Sequence, residues 1–163
     1  MQDTTHPTLP LTGACQCRAV RYEIRAEPLT LYACHCTECQ RQSGSAFALS
    51  MVVAREAVVT VAGKPKAWRR MHESGRAAQC LFCPECGTRL WHEPERNAAI
   101  TILKPGTLDD TSWLRPVGHI WTRSAQDWID LPEASLLYPQ QQPALDDMCA
   151  AWTERRSEPV RAR

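Results

Sequence analysis

The sequence predicts a mainly β fold with few helices. Short segments that are apolar, or that alternate apolar and polar residues, recur along the chain, and turns containing glycine or proline separate them. Helical character is confined to one short turn and to the C-terminal region. Such a succession of short strands is typical of a β-rich domain, and a length of 163 residues fits a single domain.

The first half of the chain contains five predicted strands and one helical turn. Residues 19–25 alternate apolar and polar side chains over most of their length, which predicts a half-buried strand. Residues 29–33 form a second strand that leads directly into Cys34, and residues 40–44 form a helical turn that ends at a glycine. Three more strands are predicted over residues 46–53, 57–61 and 65–71.

The second half of the chain begins with a predicted turn and a hairpin. Residues 73–75 form the turn, and residues 77–82 and 88–92 form the two strands of the hairpin. The later elements are a strand, an extended segment and a helix, over residues 98–103, 116–121 and 144–156.

The composition divides the chain into three parts. We expect a loose leader over residues 1–10, a folded domain over residues 11–136 and a partly helical tail over residues 137–163. The tail carries Trp152 and two arginines, and it can pack on the domain or on a second subunit. A homo-oligomer is therefore left open.

The bulk properties exclude several partners and indicate a reducing compartment. A formal charge of +1 and a pI near 7.6 give no electrostatic reason to expect nucleic acid or an anionic membrane as partner. The sequence has no apolar run that approaches the roughly 18 residues of a membrane span, and its first ten residues lack the pattern of a signal peptide. We therefore expect a cytoplasmic protein, in which clustered cysteines are more often metal ligands than disulfides.

Eight of the nine cysteines fall into three groups whose members are close in sequence. They are Cys15 and Cys17; Cys34, Cys36 and Cys39; and Cys80, Cys83 and Cys86. A disulfide needs a specific separation and torsion that neighbours in a C-x-C pair rarely reach without strain. Zinc needs only thiolates that converge at about 2.3 Å in a tetrahedron, which short loops supply readily. The pattern therefore predicts a metalloprotein with two zinc ions per chain.

The first predicted zinc site combines two pairs of cysteines. Cys83-Pro-Glu-Cys86-Gly87 has the form of a zinc knuckle, whose turn directs backbone N–H groups at the first sulfur. The glycine accepts the positive φ that such a turn often requires. Two ligands do not close a structural site, so we expect Cys15 and Cys17 to supply the second pair.

The second predicted zinc site is the triple Cys34-x-Cys36-x-x-Cys39. Catalytic zinc sites typically have three protein ligands and one open position. Three thiolates leave the complex with a charge near −1, which suits a soft thiol better than water as the fourth ligand. We therefore expect a thiol substrate. The alternative is a closed structural site, with its fourth ligand from His35, His72, His92, His119 or Cys80.

Residues near the triple offer weaker candidates. Arg41 can offset the negative charge of the metal site, or it can be a surface residue without a functional role. Residues 43–47 can donate hydrogen bonds to a ligand, or they can form only a turn that leads into a strand. His119 and Trp121 can flank the pocket, although a lone histidine is more often structural.

Three motifs together resemble the glutathione-dependent formaldehyde-activating enzyme family. They are residues 11–22 around Cys15-Gln-Cys17, residues 34–47 around the triple, and residues 82–88 around Cys83-Pro-Glu-Cys86. The segments Gly118-His-Ile-Trp and Trp128-Ile-Asp-Leu-Pro are similar to the closing part of that family, so the resemblance spans residues 11–133.

The resemblance implies a fold, two metal sites and a reaction. The implied fold is an Mss4-like β-tent zinc domain with a short helical tail. The implied sites are a structural zinc on Cys15, Cys17, Cys83 and Cys86 and a catalytic zinc on Cys34, Cys36 and Cys39. The implied reaction is the reversible addition of glutathione to formaldehyde, the work of a carbon–sulfur lyase.

Two points qualify the resemblance. Arg18 stands where the family usually has glycine after the C-x-C pair, and Cys80 lies outside the matched pattern, as a buried apolar residue or as another ligand. The family also contains members whose substrate is not established, so a related thiol adduct, such as a glutathione conjugate, is a further candidate for the substrate. The alternative from another class is a non-catalytic zinc-binding interaction module with two closed structural sites. A redox or metal-buffering role is a third and more distant reading.

Overall fold

The computed structural model describes residues 7–72 and 75–157, and these residues form eleven strands and two α-helices. The strands are β1 (Leu11–Ala14), β2 (Arg21–Ile24), β3 (Thr30–Cys34), β4 (Ala48–Ala54), β5 (Val58–Ala62), β6 (Lys66–Met71), β7 (Ala77–Phe82), β8 (Arg89–Pro94), β9 (Ile100–Leu103), β10 (Gly118–Ile120) and β11 (Leu136–Tyr138). The helices are α1 (Thr37–Ser43) and α2 (Asp146–Ser157). Within this part of the chain, no helix has the length and apolar character to cross a membrane.

The described chain divides into two compact units, each built from separate segments. Unit I contains residues 29–50 and 113–157, and unit II contains residues 7–28, 51–72 and 75–112. Strand β4 passes from unit I into unit II. The strands form one sheet of three and one sheet of eight.

Unit II is antiparallel throughout the pairings of its strands. Its three-stranded sheet has the order β1-β2-β5, and its part of the larger sheet has the order β4-β9-β8-β7-β6. Tyr22 is buried, and its ring meets the Trp91 ring edge-on at 5.6 Å. The Tyr22 hydroxyl lies 2.7 Å from the Thr107 hydroxyl, which satisfies its polar end inside the core. A Cβ atom at Gly13 would lie 2.4 Å from the Tyr22 ring, so β1 needs glycine there.

Unit I contains the parallel pairings β11-β10 and β10-β3, with helix α2 packed on β3. The Thr30 hydroxyl donates to the Met148 carbonyl oxygen at 3.0 Å. Met148 and Trp152 are buried on α2, and the Trp152 ring lies 6.1 Å from the Trp113 ring. The C-terminal helix is therefore part of the core of unit I.

The structure confirms the predicted mainly β fold with a short C-terminal helix. The strands predicted between residues 19 and 103 are all present, and their ends shift by no more than two residues. Strands β1 and β11 are additional to the prediction, and α1 begins at Thr37, three residues before the predicted helical turn. The predicted leader lies outside the described residues up to position 6, as do residues 73 and 74 of the predicted turn.

We expect Trp152→Ala to lower the free energy of unfolding by about 3–5 kcal/mol, because it empties a buried site that the structure cannot refill. Trp152 is 2% exposed, whereas Trp128 is 71% exposed and provides the matched control. Urea denaturation monitored by circular dichroism measures both variants. Trp128→Ala should change stability by no more than about 0.5 kcal/mol. Equal losses in the two variants would contradict the packing of α2 described above.

Candidate metal centres

The sulfurs of Cys15, Cys17, Cys83 and Cys86 lie together in unit II and all fall within 4.8 Å of one another. We call these four residues the four-cysteine cluster. The first pair follows β1, and the second pair lies in the loop between β7 and β8. The Sγ atoms of Cys15 and Cys17 are 3.5 Å apart, and those of Cys17 and Cys83 are 3.7 Å apart.

The geometry of the four-cysteine cluster fits a tetrahedral metal ion. Zinc–sulfur bonds of about 2.3 Å in a tetrahedron separate the sulfurs by roughly 3.8 Å, close to the distances found here. Thiols this close cannot all ionise unless a cation compensates their charge. All four donors are soft sulfurs, which favours zinc over a hard cation such as Mg²⁺. The residues therefore fit a structural zinc ion.

Local hydrogen bonds hold the two loops of this cluster. The Gly87 N–H donates to the Cys83 carbonyl oxygen at 2.9 Å, and Gly87 has a φ of 75°, which only glycine adopts without strain. The Val20 N–H donates to the Cys15 sulfur at 3.2 Å. The expectation that the glycine after Cys86 has a positive φ is therefore confirmed.

Thr88 connects the two halves of the cluster, a role that sequence reasoning missed. Its hydroxyl oxygen accepts the Gln16 N–H at 3.1 Å and lies 3.1 Å from the Cys86 sulfur. Hydrogen bonds from the Thr88 hydroxyl and then from its backbone lower the pKa of Cys86 to about 5, which makes this thiol a thiolate at neutral pH. One side chain thus positions Gln16 and prepares Cys86 as a ligand.

Arg18 adopts the left-handed backbone conformation, with a φ of 63°. Its N–H donates to the Cys15 carbonyl oxygen at 2.9 Å, which closes the turn that carries Cys17. The turn therefore has the backbone geometry that a glycine would favour. Because Arg18 has a Cβ atom, this left-handed conformation is energetically unfavourable for it.

The second group of sulfurs belongs to Cys34, Cys36 and Cys39 of unit I, and these also lie within 4.8 Å of one another. We call these residues the cysteine triple. Cys34 ends β3, Cys36 is the N-cap of α1, and Cys39 lies in the first turn of α1. The Cys39 N–H donates to the Cys36 sulfur at 3.3 Å, so the helix start itself fixes this sulfur.

The donors of the cysteine triple also fit a metal ion. Hydrogen bonds with Cys36 and Cys39, followed by burial, raise the pKa of Cys34, because neighbouring thiols cannot ionise together without a cation. Among the described residues, this cluster contains the three sulfurs and no histidine, carboxylate or fourth cysteine.

The backbone of His35, between two ligands of the triple, is fixed on both sides. Its N–H donates to the Ile120 carbonyl oxygen at 3.0 Å, which continues the pairing of β3 with β10. Its carbonyl oxygen accepts from the Gln40 amide at 2.7 Å and from the Ser124 hydroxyl at 3.1 Å. The loop that carries the triple therefore has little freedom.

The rings of His35 and His119 form a buried pair. The Nε2 atom of His35 lies 2.9 Å from the Nδ1 atom of His119, and the two rings stack at 5.2 Å. Burial, and then the neighbouring His119, lower the pKa of His35, and burial lowers that of His119. Two neutral rings share the hydrogen bond, so these two nitrogen atoms are already occupied.

Trp121 follows β10 with a left-handed φ of 58°, which is rare for a bulky residue. It leads into a 3₁₀ turn whose last residue, Ser124, reaches the carbonyl oxygen of His35. Strained residues of this kind cluster at functional sites, where the surrounding structure holds them. Arg123 in the same turn lies over the Trp121 ring at 4.9 Å.

The weaker candidates are distributed differently. Arg41 is exposed and pairs with Glu38, and the Ser43 hydroxyl donates to the Cys39 carbonyl oxygen at 2.8 Å, where it supports the end of α1. Cys80 is buried in β7 and belongs to neither sulfur cluster of the described chain. It lies in unit II, as do His72 and His92.

Residues 10–124 match the sequence model of a family described as "Glutathione-dependent formaldehyde-activating enzyme". A crystal structure of a Rhodobacter sphaeroides protein, determined by structural genomics, resembles the fold with a TM-score of 0.50. The alignment has 22% sequence identity and covers 63% of this chain and 91% of the other. At this identity the likeness concerns the fold alone.

We expect Arg18→Gly to raise the free energy of unfolding by about 0.5–1 kcal/mol, because glycine adopts the left-handed conformation without strain. Urea denaturation of the metal-loaded protein measures this change. Gln16→Gly is the control in the same loop, where φ is not positive, and it should lower stability. A loss of stability in Arg18→Gly would show that the arginine side chain contributes more than its backbone conformation costs.

Proposed function

The chain belongs to the glutathione-dependent formaldehyde-activating enzyme family, and from this we propose that it is a zinc-dependent carbon–sulfur lyase. Its substrates are glutathione and formaldehyde, which it joins reversibly as S-hydroxymethylglutathione, or a related thiol adduct. The observation that carries the proposal is the convergence of the three thiols of the cysteine triple, which no other potential ligand of the described residues joins, within a chain of this family.

The proposal assigns two zinc ions to different tasks. The four-cysteine cluster holds a structural zinc, because four sulfurs complete the tetrahedron. The cysteine triple holds a catalytic zinc with one position left for the substrate. The composition of the cluster supports the open position, since among the described residues no histidine, carboxylate or fourth cysteine joins the three sulfurs. Thiolate ligands also require a reducing compartment, so we place the reaction in the cytoplasm.

The reaction places few demands on the protein. The thiol sulfur forms a bond to the carbonyl carbon, the C=O double bond becomes a C–OH single bond, and the thiol proton ends on oxygen. No oxidant or reductant takes part. A zinc ion held by three thiolates supplies a fourth position that accepts a substrate thiol and lowers its pKa.

The protein contributes rigid positioning. Gln40 donates from one amide nitrogen to the carbonyl oxygens of His35 and Ser124, at 2.7 and 2.8 Å. These bonds join helix α1 to the loop of the triple and to the 3₁₀ turn Thr122–Ser124. A fixed triple presents its open side in one direction, which lowers the entropic cost of bringing thiol and carbonyl together.

We expect Cys36→Ser to abolish acceleration of the glutathione–formaldehyde exchange, because the triple loses a zinc ligand. Exchange-sensitive NMR on the zinc-loaded protein measures the rate. Cys149→Ser is the matched control, since Cys149 lies on α2 outside both sulfur clusters and should leave the rate unchanged. Full acceleration by a folded Cys36→Ser variant would contradict the proposal.

Cobalt substitution distinguishes the lyase from an interaction module with two closed sites. A shift of the cobalt absorption bands on adding glutathione supports an open position, and unchanged bands support the closed module.

We further expect the two clusters to differ in their effect on stability. Cys83→Ser should remove one zinc equivalent and prevent folding or strongly lower the melting temperature, because a structural zinc contributes directly to folding. Cys36→Ser should also remove one equivalent but leave most of the melting temperature intact. Elemental analysis and thermal unfolding of both variants provide the measurements. The same loss of stability in both would contradict the division into structural and catalytic sites.

A further inference from the structure

Unit II contains five basic side chains that interact electrostatically around His92 and belong to neither sulfur cluster: Arg70, His72, Arg89, His92 and Lys104. We call them the basic cluster. Arg70 lies on β6 and His72 follows that strand, Arg89 and His92 lie on β8, and Lys104 follows β9. Sequence reasoning gave them no common role, because they are spread over 35 positions and follow no motif.

The strand register places Arg70 and His92 on the same face of the sheet. Arg70 lies opposite Ala78, and Cys80 lies opposite His92, so both side chains flank β7 on the face that carries Ala78 and Cys80. The two residues between them have short side chains. This leaves the ends of the longer basic side chains free to turn towards each other across β7.

Two members of the cluster are buried with polar atoms that have no hydrogen-bond partner. Arg70 is 6% exposed and His92 is 9% exposed, and the unpartnered atoms are Nε of Arg70 and Nδ1 of His92. The other end of the guanidinium is engaged, since Nη2 of Arg70 donates to Nε2 of His72 at 2.9 Å. Buried polar groups without a partner are rare in folded proteins, and each calls for a ligand or another explanation.

The neighbouring side chains that lower the pKa of His92 are basic. After burial itself, the groups that lower the pKa of His92 are Lys104, Arg70, Arg89 and His72, every one of them basic. The carboxylates of the neighbouring strand positions serve other partners. Glu93 is paired with Arg55, and Glu95 is paired with Arg69.

Burying the Arg70 guanidinium with Nε unpartnered, beside the unpartnered Nδ1 of His92, is costly, because a buried polar or charged group loses its hydration. A fold retains such a group most readily when an anion neutralises it, and buried arginine and histidine N–H groups are strong donors to carboxylate and phosphate oxygens. We propose that the basic cluster is a binding site for the oxyanion group of a small molecule, a carboxylate or a phosphate, held by Arg70 Nε and His92 Nδ1 with the neighbouring cations around it.

The site takes one small oxyanion with at least two acceptor oxygens. A neutral imidazole with its proton on Nδ1 donates to such a group as well as an imidazolium does. The inference stands on the side chains of unit II and does not depend on the proposed lyase reaction, so the two can fail separately.

The test measures binding of two simple probes to the full, zinc-loaded chain at constant ionic strength set with potassium chloride. One arm uses inorganic phosphate and the other uses succinate, each by isothermal titration calorimetry and by thermal unfolding. Saturable binding with a raised melting temperature in either arm supports the proposal, and the stronger arm identifies the class of oxyanion. No saturable binding in both arms overturns it.

The variant Arg70→Met locates the binding. It removes the buried charge but keeps most of the side-chain volume, so binding should weaken at least tenfold. Without a probe, the melting temperature should rise, because an unpaired buried charge has been removed. Arg69→Met is the matched control. Arg69 is the next residue, is half exposed and pairs with Glu95, so its loss should leave binding unchanged.

Unchanged affinity in Arg70→Met would overturn the proposal. If Arg70→Met does not fold, His92→Phe provides the second variant, since it removes the unpartnered Nδ1 and retains an aromatic ring. It should likewise weaken binding at least tenfold while Arg69→Met does not, and unchanged affinity in His92→Phe would overturn the proposal.

Discussion

The close approach of cysteine sulfurs is the constraint on which the loops of this protein depend. Seven thiols are gathered into two clusters in which all sulfurs lie within 4.8 Å, a distance at which they cannot all be thiolates without a cation. The surrounding structure consequently serves to hold sulfurs in place: Thr88 links the two halves of the four-cysteine cluster, and the start of α1 fixes the triple. Even the strained Arg18 is explained by this demand, because its turn delivers Cys17.

Much of the fold could be predicted from the sequence because its strands are marked by local patterns. The segment around β2 alternates polar and apolar residues, and the segments around β4 and β9 are predominantly apolar. Strands β1 and β11 could not be predicted in this way. Strand β1 contains Thr12 and Gly13 and strand β11 has three residues, so neither shows a clear apolar pattern, and each is defined by its pairing with the strand next to it in sequence, β2 or β10.

For the candidate site, too, the features that depend on neighbouring residues could be predicted, and the contacts between residues far apart in sequence could not. Spacing indicated which cysteines share a loop, whereas the combination of Cys15 and Cys17 with Cys83 and Cys86, 66 positions from Cys17 to Cys83, was expected because a structural site needs four ligands. The contact of His35 with His119 and that of Gln40 with Ser124 both join residues 84 positions apart, and no local pattern encodes such contacts. The comparison of Arg18 with the glycine expected from the resemblance correctly indicated an unusual backbone at this position, because Arg18 has a positive φ.

The sulfur clusters and the basic cluster pose the same physical problem with opposite signs. In each, side chains that bear like charge when ionised are involved: the sulfurs of each cysteine cluster lie within 4.8 Å of one another, and Arg70 and His92 are buried with Nε and Nδ1 unpartnered. Coulomb repulsion in such surroundings is weakly screened, so folding alone does not favour the arrangement. A ligand from outside the chain resolves it: a metal cation for the thiols and an oxyanion for Arg70 and His92.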